Sequence, residues 1–254
     1  MIARVLVLAL FALFAAATAK AEDLIAGLSE HLIRITSNFT GTEIVFFGTI
    51  AGGDAFATAE GRDIVVVVRG PDTDVTVRRK EPVLGLWLNR GRSTYTGLPG
   101  FYFAVSTRPI SQIAAKTVLE RQEIGLYNLR FDTVGDTPDD RDAFRAAVIR
   151  QRKDERLYGE ASGPDAINVI GATLFQVKVP LPADVPVGNY RAEAYLFRNG
   201  QIVSAYSDVL FVDKSGVERW LYEKAQDEPL LYGIAVVLLS LGAGWVATVL
   251  SNRL

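Results

Sequence analysis

A chain with one histidine and no cysteine has few routes to covalent chemistry. Any imidazole base must be His31, which sits in an alternating run where His31, Ile33 and Ile35 oppose Leu32, Arg34 and Thr36. No G-x-S-x-G nucleophile accompanies it, so the spacing assigns His31 a packing or hydrogen-bonding role. Thiolate nucleophiles, disulfides and metal sites built from Cys and His are excluded by composition. The carboxylates cluster twice. Asp72 and Asp74 lie in a turn, and Asp132, Asp136, Asp139, Asp140 and Asp142 straddle a helix start, where the dipole alone favours acids. Neither cluster has the offsets of a calcium loop, and no P-loop, dinucleotide fingerprint or metalloprotease motif occurs. The sequence therefore predicts no catalytic residue, no metal and no cofactor.

Two constellations suit binding better than reaction. Arg78-Arg79-Lys80 is the densest basic run. It reads first as a charged edge strand that resists aggregation, and second as a contact for anionic lipid or an acidic partner. Trp87, Tyr95 and Tyr102, with Arg78 and Arg79, form a candidate recognition surface. The competing reading is that aromatics in strands fill cores.

The elements that must position these residues are mainly β. Apolar alternation runs through Glu43–Ile50, Ile64–Val68, Val75–Val77, Val83–Leu88 and Phe101–Val105, punctuated by Asn38–Gly41, Arg69-Gly70-Pro71-Asp72 and Leu98-Pro99-Gly100. Ile64–Val68 is apolar on both faces, as a strand between two layers would be. From 109 to 157 the period changes. Pro109 opens one predicted helix with Ile110, Ile113, Ala114 and Val118 on one face. Thr137 caps a second, followed by Pro138, Asp139 and Asp140, with Phe144, Ala147 and Val148 as its apolar stripe. Strand periodicity returns at Phe175, Val177 and Val179. Asn199-Gly200 then predicts a two-residue hairpin turn, because both positions need positive φ. A strict two-residue loop pairs Arg198 with Gln201, Leu196 with Val203, Ala194 with Ala205 and Tyr190 with Val209. Pro186-Val187-Gly188-Asn189-Tyr190 resembles the tyrosine corner of immunoglobulin-like and fibronectin-like sandwiches. The expected fold is an immunoglobulin-like β-sandwich over 22–213 with a two-helix insertion at 109–157. Two small sandwiches separated by the helices are the alternative.

Both ends are apolar. Residues 1–21 read as a signal peptide: Arg4, the run Val5–Ala17, then Ala19-Lys20-Ala21 as a cleavage pattern. Residues 230–250 hold no charge and at ~1.5 Å per residue reach ~31 Å, the thickness of a bilayer core. Ser215-Gly216-Val217-Glu218 matches a capping box for a juxtamembrane helix over 214–229, and 251–254 form a stub. Arg219 and Lys224 precede the span and Arg253 follows it, so the positive-inside rule is weak here. The signal peptide decides the direction: sandwich in the periplasm, C-terminus in the cytoplasm, one pass through the inner membrane. Ser240, Gly244 and Thr248 recur every four residues, a small-residue stripe suited to packing a partner helix. Gly and Ala are also common in anchors that pack against nothing.

The 254 residues carry a net charge of -2 and a pI near 5.6, which offers nucleic acid no basic face. Five segments together resemble a transmembrane protein family of alphaproteobacteria: Ile35–Gly41 leading to Phe47-Gly48, Val67–Pro71, Arg78-Arg79-Lys80, Leu86-Trp87-Leu88-Asn89, and Pro186–Tyr190. The resemblance runs along essentially the whole chain, implies a membrane protein without assigned catalytic residues, and ranks a sulfite-exporter-type transporter first among partners. Two functions are then expected. The first is a non-enzymatic accessory protein held at the bilayer beside a membrane-protein partner. The alternative is a small-molecule receptor or carrier with a pocket between sandwich and helical insert.

Overall fold

The computed structural model describes residues 23–36, 39–51, 61–83, 86–134, 141–170, 174–214 and 225–251. The predicted signal peptide, the cap at Thr137–Asp140, the capping box at Ser215–Glu218 and nearly all of the stub lie outside the described residues, as do the side chains of Arg79 and Thr248.

Thirteen strands among these residues form three sheets. The first holds β1 (Asp23–Leu28), β3 (Thr42–Ala51), β11 (Leu174–Leu181) and β10 (Ile167–Ile170), in the order β1-β3-β11-β10. The second runs β2-β13-β12-β4-β7-β9, from β2 (Leu32–Ile35), β13 (Gln201–Lys214), β12 (Gly188–Arg198), β4 (Arg62–Arg69), β7 (Tyr102–Ser106) and β9 (Tyr158–Ser162). Both sheets combine strands from before and after the helical segment. One hydrophobic core joins the two, with Phe46, Phe175 and Val177 of the first and Val66, Val68, Ala194 and Leu196 of the second. Period-two patterning explains this: Ile44, Phe46 and Ile50 are buried while Glu43 and Phe47 are exposed. In β4, Ile64 to Val68 are all fully buried, each side chain contributing about 1.5–3 kcal/mol of apolar burial. The Gly70-Pro71 turn is braced on both sides. Gly70 N–H donates to the Phe101 carbonyl at 2.8 Å and Gly100 N–H to the Pro71 carbonyl at 2.7 Å. A Cβ at Gly70 would lie 2.9 Å from Phe101 Cβ, so only glycine fits.

The third sheet is a long hairpin, β5 (Asp72–Val83) and β6 (Leu86–Pro99), joined near its base by β8 (Asp132–Val134). A smaller core of Val75, Tyr95, Leu98, Phe144 and Val148 packs it against a helix.

The 109–157 segment differs from the two-helix expectation. Among the described residues it contains α1 (Ile110–Ile113), α2 (Lys116–Arg121), a 3-10 turn (Leu126–Asn128), β8 and α3 (Arg141–Asp154). The predicted first helix breaks because Ala114 and Ala115 are extended, with φ of -146° and -61° and ψ of 164° and 145°. The break lets Ile113 and Leu119 both turn inward, where they join the buried apolar cluster that continues through the six-stranded sheet.

The Asn199-Gly200 turn forms as predicted, with φ of 48° and 81°. The register beyond it does not follow the strict two-residue count. Arg198 pairs with Gln201 and Phe197 with Ile202, but Leu196 then pairs with Ser204, Ala194 with Tyr206 and Tyr190 with Leu210. A bulge at Leu196/Phe197 leaves Val203 as an extra residue, so Val203 and Val209 are exposed while Leu210 is buried. The tyrosine corner is present: the buried Tyr190 hydroxyl donates to the Pro186 carbonyl at 2.6 Å.

Finally, α4 runs Pro229–Ser251, 23 residues without a charge. Its side chains are described only to Trp245. Counted over the described residues, no helix is long and apolar enough to cross a membrane.

Candidate functional site

The helical insert lies on the face of the six-stranded sheet opposite the shared core, where two residues of the sheet hold it. Arg69, at the end of β4, donates from Nη2 to the Gln122 and Glu123 carbonyls at 2.7 and 3.2 Å, and its Nη1 pairs with Glu193 of β12. The carbonyls that end α2 lack intrahelical donors, and a guanidinium supplies them. Tyr102 of β7 donates its hydroxyl to the Glu123 carbonyl at 3.1 Å and accepts from Gly125 N–H at 2.7 Å. Burial pushes the Tyr102 hydroxyl pKa up, against the opposing influence of Arg69. The turn at 122–125, with Glu123 at φ 53°, is therefore fixed from below.

A cleft of about 400 Å3 opens between this insert and β9. Its polar lining includes Ser106, Ser111, Lys116, Asn128, Glu160 and Ser162. Several of these groups are already committed. Glu160 Oε1 accepts from Leu126 N–H at 2.6 Å, Asn128 Nδ2 donates to the Ile124 carbonyl at 2.6 Å, and Ser106 Oγ donates to the Arg108 carbonyl at 2.7 Å. The cleft can hydrogen-bond a small polar molecule, and among the described residues no base is paired with any of its hydroxyls. A second cleft of about 410 Å3 lies on the β12 side of the insert, where Arg69, Arg121, Arg130 and Arg191 mingle with Asp72, Glu123, Asp132 and Glu193. Opposite charges balance there.

Among the predicted residues, Tyr95 and Tyr102 are buried in separate cores and share no surface with Trp87. This corrects the aromatic recognition surface: both tyrosines point inward, and Tyr95 meets Phe131 edge-on at 5.2 Å. Trp87 is 69% exposed, and Arg78 is exposed on β5, which is an edge strand. His31 Nε2 lies 3.1 Å from Asp208 Oδ2, on a largely exposed side chain with no serine in the contact. Ser240 Oγ donates to the Val236 carbonyl at 2.8 Å within α4. No group of three or more acidic or histidine side chains able to hold a metal occurs among the described residues.

Sequence reasoning passed over the charged residues that organise the face. Asp63 is only 2% exposed and accepts from Arg108 Nε at 2.8 Å, Arg108 Nη2 at 2.5 Å and Thr107 Oγ1 at 2.8 Å. Burial by itself would raise its pKa, but the Arg108 guanidinium and Thr107 hydroxyl outweigh that and hold the carboxyl below its ordinary value. A usable signal was present: Asp63 and Arg69 flank the apolar run Ile64–Val68, where a charge must find a partner or stay outside.

The described residues thus define a mainly β protein with two sheets on one core, an insert strapped to the outer face, two clefts and a C-terminal apolar helix. The chain belongs to the alphaproteobacterial family described as "Putative transmembrane protein", whose model matches residues 23–253. No curated protein matches it. Among solved structures, that of Spo0M, a sporulation control protein from Bacillus subtilis, aligns over 82% of this chain and 55% of that protein, at 12% identity and a TM-score of 0.29. The chain thus spans about half the length of that protein.

Proposed function

We propose that the protein is a membrane-anchored accessory protein, its immunoglobulin-like sandwich held in the periplasm by α4 and engaged with a membrane-protein partner. The observation that carries this reading is the helix. Leu230, Leu231, Ile234, Val237, Leu238, Leu239, Leu241 and Trp245 are all exposed in the isolated chain, and a helix apolar on every side requires lipid or a protein interior. A sulfite-exporter-type transporter stands first among candidate partners on the family resemblance.

The outer face of the four-stranded sheet supports the second half of the reading. Register places Ile25, Thr49, Leu174 and Ile170 in one row across β1, β3, β11 and β10, with Phe47 one step along β3. Ile25, Phe47, Leu174 and Ile170 are all exposed, and clustered exposed apolar side chains mark interaction sites.

The test is a photo-cross-linker at Phe47 of the full chain in intact envelopes. The reading predicts one dominant cross-link to an integral membrane protein, lost on Leu174→Asp while the melting temperature holds. A chain that leaves the membrane on alkaline extraction, or a Phe47 position that captures nothing, overturns it. The cleft of about 400 Å3 favours a second reading, a small-molecule receptor feeding a transporter. The two part at Phe47, because a receptor whose ligand enters beside β9 has no need of the opposite sheet.

A further inference from the structure

Among the described residues the hairpin β5–β6 is anchored only at its base. Among those residues its third strand, β8, pairs only with Thr94, Tyr95 and Thr96, and the smaller core takes Val75, Val77, Tyr95 and Leu98 from the hairpin, none of them beyond Val77 and Tyr95 along the ribbon. Beyond Ser93, every residue of the two strands whose side chain is described is exposed: Arg78, Lys80, Pro82, Leu86, Trp87 and Arg92. At about 3.3 Å per residue the ribbon is roughly 40 Å long, and its outer half is a two-stranded hairpin, which is marginal in water by itself.

Two features of that outer half are unfavourable in water. The first is apolar: Leu86 is 67% and Trp87 69% exposed, beside Pro82, which pairs with Trp87 across the ladder. The second is charge. Arg78 and Arg92 are directly opposite in register, a like-charge pair that costs stability. No acid among the described residues pairs with Arg78, Arg92 or Lys80. Between Arg78 and Arg92 the sequence holds five basic residues (Arg78, Arg79, Lys80, Arg90 and Arg92) and one acid, Glu81, in a chain whose net charge is -2. An apolar, Trp-bearing end on a basic shaft is complementary to one surface, the anionic headgroup layer with hydrocarbon beneath it. Trp sits by preference at that boundary.

We propose that the outer half of β5–β6 docks on anionic lipid, with Leu86 and Trp87 at the headgroup–acyl boundary and Arg78, Lys80 and Arg92 on the lipid phosphates. The inference rests on the anchored reading above and adds a second membrane contact to it. Cross-strand arginines that repel each other in the free hairpin then share a counter-charge.

The experiment uses the full chain carrying Trp220→Phe and Trp245→Phe, which leaves Trp87 as its sole tryptophan, reconstituted in nanodiscs. One set contains brominated phosphatidylcholine alone, and the other has about a third phosphatidylglycerol, enough to give a negative surface. The expected result in the anionic discs is a blue-shifted Trp87 emission with quenching at least about twice that in neutral discs. Combined Arg78→Gln, Lys80→Gln and Arg92→Gln substitutions should remove that difference without lowering the melting temperature. Unquenched Trp87 emission in anionic discs overturns the inference, as does equal quenching in both lipids. Quenching or a spectral shift that follows the number of chains per disc means the hairpin meets a second copy, and overturns it too. Anchoring is read separately, from co-elution of chain and disc. A chain that co-elutes but keeps Trp87 in water defeats this inference alone, and one that fails to co-elute defeats both.

Discussion

At the scale of single residues, stability rests on a few polar groups buried with their partners. Tyr190→Phe removes only the bond to the Pro186 carbonyl and keeps the ring in the core. It should lower unfolding free energy by about 1 kcal/mol, and more if no water reaches the freed carbonyl; denaturant unfolding would measure it. Asp63 behaves differently because it titrates. Its folded pKa is depressed, so its stabilisation is complete above the unfolded value of about 3.9 and fades as pH falls through the lower folded value. Asp63→Asn should therefore cost about 2 kcal/mol at neutral pH and leave a shallower acid limb in a series of melting curves. A variant as stable as the parent, with the same acid limb, would show that the Asp63–Arg108 contact contributes nothing.

At the scale of elements, α4 carries its small-residue stripe on an otherwise bulky surface. A side chain added at Gly244 meets nothing within 4 Å in the isolated chain. Gly244→Leu should thus leave the monomer intact and weaken only the packing of a partner helix, read as lower recovery of the partner in mild detergent. Undiminished recovery would assign the stripe to composition alone. Elements also differ in how far the sequence revealed them. Ile64–Val68, the Asn199-Gly200 turn and the Tyr190 corner were legible because each rests on a local rule: two-sided burial, positive φ, a tyrosine following a Pro-Gly turn. The bulge opposite Val203 was not, since period-two alternation looks the same on either side of an inserted residue. Tyr95 and Tyr102 were offered as surface because aromatic strand residues suit either environment; tertiary packing against Phe131 and the Gln122–Gly125 turn settled them. A pocket between sandwich and insert was expected and a cleft lies there, but the residues lining it were not legible, because its walls come from distant segments joined only by the fold.

For the molecule as a whole, three surfaces divide the work. The four-stranded sheet offers an apolar row around Phe47, the six-stranded sheet is covered by the strapped insert, and the basic ribbon projects beyond both cores. A photo-cross-link at Phe47 and a lipid contact at Trp87 can therefore coexist, and each can fail without the other. The order of strands has a further effect on how the chain is made. Among the described residues strand β2 is the outermost member of its sheet and pairs there only with β13, in parallel. It leaves the ribosome among the first described segments and stays without its neighbour until nearly the entire polypeptide exists. Such long-range pairing slows closure, so that edge of the sheet stays open until synthesis is nearly done.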